Sequence, residues 1–199
     1  TGSRNTASGS LALDSNTTAC DNTATGYKAL YANTTGAANT AIGNLAGSNV
    51  TTGGNNLLLG LDAGRSGTPS GEITTQSNRI SLGNNSITNA YIRVDWTVTS
   101  DLRDKMNIEP ISHGLDFVNQ LNPIKFNFKK SRENATSHGR KKYGFKAQDI
   151  LALEGEDNVI IDNEDPNSLK YIGSHLVPVL VNAIKELKAR IEVLENEWS

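Results

Sequence analysis

Apolar and polar positions recur through the first third of the chain with a step of 17 residues. Asn-Thr-Ala-x-Gly occupies 5–9, 22–26 and 39–43, and Asn56-Leu-Leu-Leu-Gly60 is a degenerate fourth copy. A second phrase keeps the step, at Gly9 to Leu13, Gly26 to Leu30, Gly43 to Gly47 and Gly60 to Gly64, and a third does so at Asn16-Thr-Thr, Asn33-Thr-Thr and Val50-Thr-Thr. The pattern predicts a stack of short β-rungs, none of which buries its apolar side chains without neighbours. The register is lost at Gly67-Thr-Pro-Ser-Gly71 and returns loosely at Asn78 to Gly83. Residues 87–98 then alternate, with Ile92, Val94 and Trp96 opposite Arg93 and Asp95, which predicts a half-buried strand running into Thr99-Ser100.

Beyond residue 100 the periodicity changes. Leu115, Phe117, Val118 and Leu121 predict a helix with Ser112 as its N-cap, stopped by Asn122-Pro123. Strands are expected at 125–129 and around 143–145, joined by a basic loop over 131–142 that contains Arg140-Lys141-Lys142. A short helix starts near Ala147, a strand covers 158–162, and 170–172 is placed to pair with it. From about 174 to 198, Val177, Leu180, Ile184, Leu187, Ile191, Leu194 and Trp198 are spaced 3, 4, 3, 4, 3 and 4. That is a heptad seam, with Arg190 and Glu195 at g and e positions suited to an interchain ion pair between parallel helices. A helix packing on its own domain is the alternative for so short a seam, and Ile at a with Leu at d does not select three strands by itself.

Composition shows where the rungs' neighbours must come from. Asn, Thr and Gly make up 43 of the first 99 residues, and large apolar side chains are too sparse there for a one-chain core. Short rungs around a symmetry axis would let Leu13, Leu30, Ile42, Leu45 and Leu58 meet their copies, with Gly at positive-φ turns and Asn capping its own backbone. A disordered polar linker shares this composition but does not hold a register through four copies. The expected architecture is therefore an N-terminal all-β trimeric repeat shaft, like a β-prism or triple β-helix, over residues 1–99. A C-terminal α+β domain over 100–199 ends in a long coiled-coil helix.

Charge supports a boundary near residue 100. Residues 1–99 carry 5 basic and 5 acidic side chains, and residues 100–199 carry 14 and 16. Neither half has the basic excess of a nucleic-acid footprint, and no apolar run is long enough to span a membrane. The start in mid-pattern suggests a C-terminal piece of a longer protein. A lone Cys20 forms no intrachain disulfide and fits more than one compartment. His113, His138 and His175 form no metal or triad pattern, Gly53-Gly54 lacks the context of a phosphate loop, and no cofactor or metal is implied.

Three phrases in order carry a family resemblance. Ser100-Asp-Leu-Arg-Asp-Lys-Met-Asn-Ile108, Tyr143-Gly-Phe-Lys-Ala-Gln-Asp149, and Tyr171 with Ala183-Ile-Lys-Glu-Leu187 together resemble the C-terminal intramolecular chaperone domain of phage tailspikes and tail fibres. This is the endosialidase-type, or S74 peptidase, domain, and the similarity extends over essentially all of 100–199. The repeat array resembles phage-fibre shafts and, more loosely, trimeric adhesin heads. The resemblance implies a homotrimer of a virion tail fibre or tailspike, whose missing part meets a host-cell receptor or polysaccharide. Its C-terminal domain would guide three chains into register and then release itself in the host cytoplasm by cutting at Thr99–Ser100.

The chemistry can be framed from the residues. A serine that cleaves a peptide needs a base for its hydroxyl proton and donors for the oxyanion, and a lysine serves as base when burial favours its neutral form. Ser100 and Lys105 are five apart, about 140° out of alignment on a regular helix. They can meet only if Ser100 precedes the helix and Lys105 folds back from its first turn. The resemblance implies Ser100 as nucleophile and Lys105 as general base, with Asp101 as a possible support and backbone N–H groups at the helix start for the oxyanion. Asp104 stands where relatives often carry an apolar or long side chain, which bears on cleavage rate more than on cleavage site.

Other readings stay open on the residues alone. Ser100 also fits the part of a plain N-cap, and Asp101 with Lys105 forms an i,i+4 pair. An uncleaved trimerisation cap of a fibre or adhesin is the alternative function. A hydrolase acting on other proteins is disfavoured because no further substrate-binding residues are recognisable.

Overall fold

The computed structural model describes residues 2–156 and 158–198. It separates into two compact units, Thr1–Ala90 with Phe128–Arg140, and Tyr91–Asn127 with Lys141–Ser199.

The first unit is built on a parallel β-solenoid of about three turns. Its strands are β1 (Thr6–Ser8), β2 (Thr23–Thr25), β3 (Thr40–Ile42), β4 (Leu57–Leu59) and β5 (Ile80–Leu82). Each pairs with the next in sequence order, so the 17-residue repeat is the rung-to-rung register, as in Ala7↔Ala24↔Ala41↔Leu58. The last step, Leu57↔Ile80, is 23 residues, the lengthening falling where the repeat breaks around Gly67 to Gly71.

The core closes within one chain, which corrects the expectation that neighbouring chains must supply it. Leu13, Ala24, Ala29, Leu30, Ala41, Ala46, Val50, Leu58, Ala63 and Ile73 are buried together. Alanine does much of the filling because the coil is narrow. Of the residues expected to meet copies around an axis, Leu13, Leu30 and Leu58 are inside, Leu45 is half-buried and Ile42 is exposed. Core volume is also balanced along the stack. Where the inward strand residue grows from Ala41 to Leu58, the position held by Leu13 and Leu30 becomes Gly47 and Gly64. A Cβ on Gly47 would lie 2.5 Å from Leu58 Cδ1, so the larger leucine requires the glycine.

An asparagine ladder supplies the polar part of this interior. Asn22, Asn39 and Asn56 are buried, and Asn5 Oδ1 accepts from Asn22 N–H at 2.9 Å. Asn22 Oδ1 likewise accepts from Asn39 N–H at 2.9 Å, and Asn39 Oδ1 from Asn56 N–H at 3.0 Å. The side-chain amides point the other way: Asn39 Nδ2 donates to Gly53 O at 2.9 Å and Asn56 Nδ2 to Gln76 O at 3.0 Å. Each asparagine thereby pairs groups that the turns would otherwise leave buried and unsatisfied. The turn glycines Gly9, Gly26 and Gly43 have φ of 127°, 128° and 136°, a region closed to other residues.

In the second unit, α1 (Leu115–Gln120), α2 (Ala147–Glu154) and α3 (Leu176–Glu197) enclose Phe117, Ile150, Ile160, Ile161, Leu176 and Val179. The hairpin β6 (Ile124–Lys129) and β7 (Ser137–Gly144) forms one two-stranded sheet, of which Phe128–Arg140 is counted with the first unit. A second sheet pairs β8 (Ile161–Asp162) with β9 (Lys170–Tyr171) antiparallel, as the sequence suggested. Arg140, Lys141 and Lys142 lie in β7 rather than in the loop to which the basic run was assigned.

Two local expectations are overturned. Ser112 does not cap α1; its first amide, Leu115 N–H, donates to Glu186 Oε2 of α3 at 2.9 Å. A remote carboxylate does the work of the cap, which local sequence could not reveal. Residues 87–98 form no strand, and Ile92, Val94 and Trp96 are exposed at 52%, 72% and 75%. Alternation prepares a strand but supplies no edge for it to pair with.

Candidate self-cleavage site

Ser100 stands just before a single 3₁₀ turn, Leu102–Asp104, capped by Asp101. Asp101 Oδ1 accepts from Arg103 N–H at 2.9 Å, while Asp104 N–H and Lys105 N–H donate to the carbonyls of Asp101 and Leu102 at 3.1 Å each. Lys105 leaves the turn in extended conformation, φ −113° and ψ 144°. Tight winding followed by this break turns the lysine back toward the residue ahead of the turn. Lys105 Nζ lies 2.8 Å from Ser100 Oγ, donating to it. The fold-back required by a five-residue separation is thus realised, with a 3₁₀ turn in place of an α-helix.

The geometry also decides between the simpler alternatives. Asp101, not Ser100, is the N-cap, so the Ser100 hydroxyl is not spent on the turn. Asp101 does not pair with Lys105 either. Its carboxylate faces the Arg103 guanidinium, with Oδ1 accepting from Nε at 3.0 Å and Oδ2 from Nη2 at 2.6 Å. These bonds to Arg103, side chain first and backbone N–H second, hold the Asp101 carboxyl below its ordinary range, and Asp101 raises the Arg103 guanidinium. Sequence reasoning missed Arg103, although its place two residues after the capping aspartate is a readable signal.

Thr99, Ser100 and Lys105 are all exposed in the single chain. The Asp101 and Leu102 N–H groups are not used by the turn's own hydrogen bonds. Among the described residues, no group of three or more His, Cys, Asp or Glu could hold a metal ion. Also among them, no helix is long and apolar enough to cross a membrane. The histidines have local roles: His113 stacks on Phe117 with centroids 4.4 Å apart, and His175 Nδ1 contacts Val159 O at 2.7 Å.

The heptad seam lies on a different face of α3 from the one that packs on its own domain. Leu176, Val179 and Ala183 are buried, while Val177, Leu180, Ile184, Leu187, Ile191, Leu194 and Trp198 are 39% to 88% exposed. Within the chain, Arg190 Nη2 lies 3.8 Å from Asp116 Oδ1, both side chains being largely exposed.

Residues 100–160 match the peptidase S74 family, described as chaperone of endosialidase, and the match begins at Ser100 itself. It includes the first two of the three phrases and ends before Tyr171 and the terminal helix. The repeat array lies outside it. No curated protein and no solved structure matches the chain.

Proposed function

We propose that this chain is the C-terminal part of a phage tail fibre or tailspike whose chaperone domain directs homotrimeric folding of the solenoid shaft and then cuts itself free at Thr99–Ser100. The observation that carries the reading is the 2.8 Å contact between Lys105 Nζ and Ser100 Oγ at the first residue of the family match. Ser100 Oγ attacks the Thr99 carbonyl carbon as Lys105 removes the hydroxyl proton. The Thr99–Ser100 C–N bond breaks, the amine takes up that proton, and Thr99 is left as an ester on Ser100 Oγ. Water then hydrolyses the ester, giving a Thr99 carboxylate and a new N-terminal Ser100. The amides of Asp101 and Leu102, which the turn's own hydrogen bonds do not use, are the donors available at its start for the developing oxyanion.

A lysine takes a proton only as the neutral amine, a form that burial favours. Because both side chains are exposed in one chain, the cover comes from neighbouring chains, and cleavage follows assembly. The uncovered seam from Val177 to Trp198 is the surface on which three helices would meet. The parent fibre would meet a host-surface receptor or polysaccharide in the virion, and the freed domain would stay in the host cytoplasm.

Denatured intact mass tests the reading on wild type and Ser100→Ala purified identically. Two wild-type fragments summing to the 21.3 kDa chain plus one water, with an intact variant, are expected. An intact wild type would leave a permanent trimerisation cap as the better reading.

A further inference from the structure

We propose that Arg103 is a positioning residue for the Ser100–Lys105 pair: by occupying both oxygens of Asp101, it keeps that carboxylate from drawing Lys105 away from Ser100. The inference rests on the self-cleavage reading and adds a residue to it. Asp101 and Lys105 flank one short turn and carry opposite charges, so they are natural competitors for Ser100's partner. The structure resolves the competition by chemistry. A guanidinium offers two parallel N–H donors that match a carboxylate, whereas an ammonium is a single point of charge. Arg103 uses Nε and Nη2 for this at 3.0 and 2.6 Å, and its own backbone N–H holds the same carboxylate at 2.9 Å. The Asp101 acceptors are thereby directed toward Arg103, and the Lys105 ammonium goes to the Ser100 hydroxyl.

The Asp101–Arg103 pair is largely exposed, so its purpose is not stability. It acts by occupancy, and occupancy has a distinctive genetic signature. Arg103→Ala should slow self-cleavage about twofold to fivefold, the range over which a released surface ion pair can compete for a lysine. Asp101→Asn keeps an oxygen for the turn cap but removes the charge, so adding it to Arg103→Ala should recover most of the lost rate. A merely structural Arg103 would not be rescued by changing Asp101.

The measurement is the rate of fragment appearance for wild type, Arg103→Ala, Arg103→Lys and the Arg103→Ala/Asp101→Asn double variant. It is joined by a crystal structure of the Arg103→Ala variant, in which Ser100, Asp101 and Lys105 stay on one fragment even after the cut. Slowing, partial retention by lysine, rescue by the second change, and Lys105 Nζ moved onto Asp101 are expected. Wild-type rate in Arg103→Ala, slowing without rescue, or Lys105 still on Ser100 in the variant structure overturns the proposal. If wild type itself stays intact, the cleavage reading fails, and the variant structure alone decides whether Arg103 holds Asp101 off Lys105.

Discussion

Replacing Asn39 by alanine removes three hydrogen bonds from the middle of the solenoid. Asn39 is fully buried; its Oδ1 accepts from Asn56 N–H and Asn56 Nδ2, and its Nδ2 donates to Gly53 O. Asn56 Nδ2 keeps a second acceptor in Gln76 O. The Asn56 N–H and the Gly53 carbonyl lose these side-chain partners, and both residues are buried. A buried group left unpaired costs about 1–3 kcal/mol, so two of them cost about 4 kcal/mol. For a chain of 150–250 residues each kcal/mol lowers the midpoint by about 2–4 °C, which gives a fall of about 8–16 °C. Thermal unfolding followed by circular dichroism, with amide exchange at Asn56, measures both consequences. Thr25→Ala, on the exposed side of β2, is the matched control and should shift little. If Asn39→Ala melts within about 2 °C of that control and the Asn56 amide stays protected, the ladder is not what satisfies the interior.

Three further outcomes follow from the same structure. Gly43→Ala would place a Cβ 2.6 Å from the Gly60 carbonyl oxygen at a φ of 136°, so the β3–β4 step should open, with a loss of at least about 2 kcal/mol in thermal unfolding. Glu154→Ala should cost about 3 kcal/mol in denaturant unfolding, because this buried carboxylate accepts from the amides of Val159, Ile160 and Ile161 and ties α2 to β8; an unchanged midpoint would show that these amides find other acceptors. Leu187→Asp puts a charge into the exposed seam while leaving the Leu176, Val179 and Ala183 packing intact, so sedimentation should show monomers with native circular dichroism. A trimer that survives this change would remove α3 as the assembling surface.

Much of the candidate site was legible because it depends on covalent spacing. Five residues cannot bring Ser100 and Lys105 together on a regular helix, so a break beside Ser100 was required, and the 3₁₀ turn with an extended Lys105 provides it. The choice of partner for Asp101 was not legible. Arg103 and Lys105 were both within reach in sequence, and the match between a guanidinium fork and a carboxylate decided between them in space. The Glu186 contact to α1 was equally hidden, since it joins residues 71 apart.

The sequence by itself determined the rung register, the positions where only glycine can turn, the heptad seam and the serine–lysine separation, because each is a fixed spacing read against a known helical or strand period. Only the tertiary structure decided that the solenoid closes on one chain. Counting large apolar side chains underestimated a coil narrow enough for Ala24, Ala29, Ala41, Ala46 and Ala63 to fill, with asparagines satisfying the polar groups between them. It also decided that residues 87–98 remain without a partner strand, since period specifies which faces a segment presents but not whether another backbone stands beside it.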